Sequence, residues 1–172
     1  MVVVFLIAAG RVSTYGQAPG SAGDPAAPNH PRVRAADPAL STLLRQATDQ
    51  SATFRRLVAE IQTSDGIVHV MRGRCGHSVR ACLLLWMGAA GPNRMLRIVV
   101  ESDKTDIETM ASLGHELRHV LEVLAEPNVR TGPGMFQLYK RNGAVQGVTF
   151  ETEAAIEAGD AVYLELKRSL KN

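Results

Sequence analysis

An α+β fold is predicted for this chain from three observations. Apolar residues recur at helix spacing between residues 38 and 62, three short apolar runs follow between 67 and 100, and two long helical patterns come after residue 105. The sheet is expected to be small and mainly antiparallel or mixed. It should pack against one helix that carries a polar motif and against a C-terminal helix.

Size and charge bound the reading first. At 172 residues the chain suits a single ordinary domain, and 45% apolar against 21% charged residues is the balance of a globular protein. A net charge of +2, aromatic residues at only 5% and no aromatic-interleaved Lys/Arg run exclude the electrostatic footprint of a nucleic-acid binder.

The N-terminal run Val2 to Ala9 is far shorter than the roughly 20 residues needed to span a bilayer. Its length suits the apolar core of a signal peptide, and Gly16-Gln17-Ala18 places small residues where a signal peptidase inspects them. No basic residue precedes the run, since the first is Arg11, and this counts against export. The expected division is a signal peptide over 1–18, an Ala/Pro/Gly-rich linker over 19–37 and one catalytic domain over 38–172, in an exported protein, periplasmic or extracellular.

The helices and strands then follow in order. Asp37-Pro38 is a cap with proline at the first helical position, and Leu40, Leu43, Leu44 and Ala47 form one face. A second helix over 51–62 presents Phe54, Leu57, Val58 and Ile61 and stops at Ser64-Asp65-Gly66. Strands are expected over 67–71, 81–87 and 95–100, and Gly91-Pro92-Asn93 supplies hairpin chemistry between the last two. Cys75 and Cys82 can close a short disulfide loop in an exported chain. As zinc ligands, Cys75, His77 and Cys82 would lack the fourth partner that a structural site takes.

Thr105-Asp106-Ile107-Glu108 fits a capping box, and the helix it opens can run to Ala125 before Pro127 ends it. Gly114 in its interior costs about 1 kcal/mol relative to Ala, which predicts close approach of another backbone. A short helix over 135–141 and a last helix over 150–170 complete the chain.

The chemistry lies in "LGHELRHVLEV", residues 113–123. His115 and His119 are one helical turn apart and project together, able to share one ion, while Glu116 is rotated by about 100° and stands beside it. Two neutral imidazoles and a neighbouring carboxylate suit one Zn2+ per chain, with Glu116 taking a proton from activated water. Met110, Ala111, Leu113, Val120, Leu121 and Leu124 mark this helix as packed on several sides. The competing reading is an ordinary helix with surface His and Glu.

A catalytic zinc needs a third protein ligand. Glu122 and Ala125 stand where the metzincin continuation would place glycine and histidine, so that arrangement is excluded. Downstream, "FETEAAIEAGDAV" offers Glu151, Glu153, Glu157 and Asp160. In a helix Glu151 shares a stripe with Ala155, Ala158 and Val162, an apolar face of small residues, whereas Glu153 shares one with Glu157 and Asp160. A carboxylate on an apolar stripe needs a cation, so Glu151 is the expected third ligand and Glu153 the alternative.

"HELRH" on a core helix, followed about 30 residues later by "FETEAA", resembles the gluzincin branch of the zincin metallopeptidases, especially small bacterial members. The resemblance implies a zincin-like fold and zinc-dependent hydrolysis of peptide or protein substrates, more as an endopeptidase than an exopeptidase. It makes His115, His119 and Glu151 the zinc ligands and Glu116 the general base. It also implies a sheet edge that holds an extended peptide, with "MLRIVVE" as the candidate strand. Ala155 stands where many members carry an aspartate that orients a histidine; Glu122 is the candidate for that task, or else a structural carboxylate. Tyr139 and Tyr163, with Arg130 and Arg141 behind them, are candidates for the oxyanion donor, or else packing residues. Two rival functions are a catalytically inactive zinc-stabilised binding or regulatory domain, and a metal-free interaction domain using the sheet edge. His30, His69 and His77 lack partners at ligand spacing and receive no role.

Overall fold

The computed structural model describes residues 30–76, 79–101, 106–142, 145–146 and 149–171. The expected signal segment, most of the expected linker, His77 and Thr105 lie outside the described residues. Pro31–Asn172 forms one compact unit. It begins earlier than composition indicates, because Val33–Ala35, inside the expected linker, forms strand β1.

Helix α1 spans Pro38–Gln50, with the Asp37 carboxylate accepting from the Leu40 amide at 2.8 Å. Helix α2 spans Ala52–Gln62 behind Ser51, whose hydroxyl oxygen accepts from the Phe54 amide. Strand β2 (Gly66–Arg72), β3 (Ala81–Ala90) and β4 (Asn93–Val100) follow. Helix α3 is Ile107–Leu124 and α4 is Gly132–Arg141. A two-stranded ribbon of β5 (Val145–Gln146) and β6 (Thr149–Phe150), which the sequence pattern did not predict, leads into α5 (Glu153–Ser169).

The four-stranded sheet has the order β1-β2-β4-β3 and is mixed rather than mainly antiparallel. The β1/β2 and β2/β4 pairs are parallel, and only β3/β4 is antiparallel. The Gly91-Pro92 loop, with Gly91 at φ +60°, folds β3 and β4 into the expected hairpin. This hairpin then docks through β4 on β2, so β4 is interior and β3 is the edge. The expected edge strand "MLRIVVE" is thereby corrected: turn chemistry reports that two strands pair, but not which of them faces the rest of the sheet.

Leu40, Leu43, Phe54 and Ile61 meet Val68, Val70, Leu96 and Ile98 of the sheet in the core, with Leu113, Leu117, Val120, Val162 and Leu166 beside them. Gly114 does mark a close approach, but of a side chain: a Cβ there would lie 2.8 Å from Val162 Cγ2 on α5. Helix α3 starts one residue later than the capping box implies. Asp106 is the N-cap, accepting from the Thr109 amide at 2.9 Å, and Glu108 pairs with Arg80.

The far end of α3 is held by Arg94, 3% exposed at the start of β4. Its guanidinium donates to both Asp65 carboxylate oxygens and to the carbonyls of Val123, Leu124, Glu126 and Val129. A positive charge on the last carbonyls of a helix is favourable, and here it also fixes α3 to the sheet. Among the described residues no helix is long and apolar enough to cross a membrane.

Candidate metal centre

Helix α3 brings His115 and His119 together as their four-residue spacing requires: the two Nε2 atoms are 3.1 Å apart. His119 is 3% exposed, and its Nδ1 lies 2.8 Å from Glu122 Oε2. That carboxylate selects the tautomer with the proton on Nδ1, which leaves the Nε2 lone pair facing His115. His115 makes a backbone hydrogen bond with Ala155 of α5. Close packing makes this contact reachable, since a Cβ on Gly159 would lie 3.2 Å from the His115 Cβ. Burial, then the nearby His119, push His115 down to about 4, although Glu122, Asp160 and the Ala155 contact oppose the shift. Near neutral pH its imidazole is uncharged, as a metal ligand must be.

Glu151 Oε2 lies 3.2 Å from His115 Nε2. One ligand atom each from His115, His119 and Glu151 falls within 4.8 Å of the others. Glu151 arrives there by a different route from the one its helical stripe implied. It sits between β6 and Thr152, the N-cap of α5, so it is not a helix residue at all. Glu153 is exposed in the first turn of α5 and is not part of the group.

Glu116 projects beside this group toward β3, where its Oε2 accepts from the Leu83 amide at 2.7 Å. Burial raises the Glu116 carboxyl to about 7, with Glu151 adding to the rise and His119 and the Leu83 amide opposing it. Glu122 is driven both ways: burial raises it, but hydrogen bonds from His119 and Thr152 carry it below the ordinary range. It therefore stays ionised where it orients His119.

Two clefts meet at Glu116 and Glu151. The one on the His119 side, about 320 Å³, is walled by Val79, Leu83, Leu85, Phe150 and the Cys75–Cys82 disulfide. The one on the His115 side is bordered by Ser112, Ile156, Asp160 and Tyr163. Tyr139 is buried against the His119 ring, and its hydroxyl donates to the His119 carbonyl at 3.2 Å. Tyr139 also lines the His119-side cleft, with its hydroxyl proton committed to that carbonyl. Arg130 and Arg141 are exposed and border neither cleft.

Sequence reasoning missed the Leu83 amide, the Phe150 wall and Thr152. Only Thr152 left a signal, because threonine before a helical run is a preferred N-cap and would have started α5 at Glu153.

No family model, no curated protein and no solved structure matches the chain. The site must be read on its own chemistry. Two imidazole nitrogens and one carboxylate oxygen are a donor set that could hold one metal ion.

Proposed function

We propose that the chain is a zinc-dependent peptidase of zincin type that cleaves peptide bonds without a covalent intermediate. The observation that carries this reading is the convergence of His115, His119 and Glu151 within 4.8 Å, where two clefts meet at Glu116. Zinc held by these three residues would polarise the substrate carbonyl and make water acidic near neutral pH.

The chain's own residues do the rest. The Leu83 amide holds one Glu116 oxygen, and the other is left to take the proton of the attacking water and return it to the leaving amine. Tyr163, bordering the cleft beside His115, is the candidate donor to the developing oxyanion. The apolar wall on the His119 side favours a substrate with a bulky apolar side chain next to the scissile bond. The Cys75–Cys82 disulfide supports an oxidising, exported setting.

The test is metal analysis followed by peptide hydrolysis. One zinc per chain, with cleavage of a mixed peptide library that is abolished in Glu116→Gln, is the expected outcome. Zinc well below one equivalent, with no uptake on titration, would end the reading. Zinc uptake with no cleavage of any peptide would instead favour a zinc-stabilised binding domain.

A further inference from the structure

Glu151 lies outside any helix, so something other than helical geometry must hold it against the imidazole pair. Its neighbour Thr152 makes two hydrogen bonds in different directions. The Thr152 hydroxyl donates to Glu122 Oε1 at 2.6 Å, and the same oxygen accepts from the Ala155 amide at 3.2 Å, capping α5. The other oxygen of that Glu122 carboxylate, Oε2, is bonded to His119 Nδ1 at 2.8 Å.

A chain of short contacts therefore runs from His119 through Glu122 to Thr152, and Thr152 is covalently joined to Glu151. It links the two segments that supply the three candidate ligands, which lie about 30 residues apart in sequence. Thr152 is only partly exposed, and its bond to Glu122 is charge-assisted, the stronger kind of hydrogen bond. Capping alone would need only an oxygen acceptor, which Asp, Asn or Ser also provide. Donating to a carboxylate at the same time excludes Asp, and doing both through one atom, as Thr152 does, needs a hydroxyl.

We propose that Thr152 is a positioning residue: by clamping Glu122 it sets both the His119 tautomer and the placement of Glu151, so the two ligand segments present a single cation site. This rests on the zinc reading above. Disturbing partners that orient metal ligands commonly weakens metal binding by about 10–100-fold.

The experiment compares zinc affinity, by competition with a chromophoric chelator, with the thermal stability of the metal-free protein. Thr152→Val should bind zinc at least about tenfold more weakly than wild type, and Thr152→Ser, which keeps the hydroxyl, should recover most of that loss. In combination with Glu122→Ala, the Thr152→Val effect on affinity should largely vanish, because both act through one contact. A role as helix cap alone predicts lowered metal-free stability with an unchanged zinc affinity, and that result would overturn the proposal. Additive losses in the double variant would also overturn it. Wild-type protein that takes up no zinc would instead remove the reading on which the proposal stands.

Discussion

The Leu83 amide donates to Glu116 Oε2 at 2.7 Å, so the edge strand β3 grips the carboxylate that stands beside the two histidines. This joins the sheet edge to the proposed base without using the base's second oxygen.

Glu116→Gln keeps the size and the Leu83 contact while removing the ionisation, so zinc content is expected to be unchanged and turnover lost. It also changes stability in a pH-dependent way. The folded carboxyl is raised from 4.5 to about 7, so its contribution is fully present below 4.5 and lost as pH rises through 7. Metal-free Glu116→Gln should match wild type near pH 4 and exceed it at pH 8 by roughly 3 kcal/mol, since each tenfold change in proton affinity between folded and unfolded chain is worth about 1.4 kcal/mol. His115 works in the other direction: its lowered value makes stability complete above 6.5 and lost as pH falls through about 4, in both proteins. Urea denaturation of both proteins across pH 4–8 checks the difference, and parallel curves would contradict it.

Glu151→Gln should reduce zinc affinity by about two orders of magnitude or more, whereas Glu153→Gln, exposed and outside the group, should leave it within about twofold. Calorimetric titration of both variants separates the rivals. A loss confined to Glu153→Gln would reassign the third ligand.

Arg94→Lys keeps the charge but loses the fork that reaches Asp65 and four carbonyls at once. Asp65 is 35% exposed and keeps a cationic neighbour, so the main cost is buried carbonyls left without a donor, about 1–3 kcal/mol each. Guanidinium unfolding should show a loss of about 1–3 kcal/mol or more, and zinc affinity of the remaining folded protein should also fall, because the end of α3 is released.

Opening the Cys75–Cys82 bridge frees a loop of seven-residue separation, worth about 2–3 kcal/mol by the loop-closure model. Reduction, or Cys75→Ser with Cys82→Ser, should lower the unfolding midpoint. Because the bridge also walls the His119-side cleft, KM for substrates with a bulky apolar side chain should rise more than kcat falls.

The helices were legible because their faces and caps are local: Asp37, the face of Phe54, Leu57 and Ile61, and the four-residue spacing of His115 and His119 need no tertiary information. Sheet order was not, since a hairpin has two edges and nothing in "MLRIVV" says which one docks on β2. Glu151 was singled out by a helical stripe it does not occupy; the ribbon of β5 and β6 is too short to register as a pattern. Arg94 fell in the loop expected between two strands and drew no role, because apart from Asp65 its partners are main-chain carbonyls at and beyond the end of a helix about 30 residues away. Such contacts have no signature in side-chain type.

With its final carbonyls gathered around one guanidinium, the C-terminal end of α3 is tied to the start of β4. Phe150 and Glu151, which line the His119-side cleft, are carried instead by a two-residue strand and the residue after it, so a bulky substrate of the proposed kind would be expected to displace that segment first.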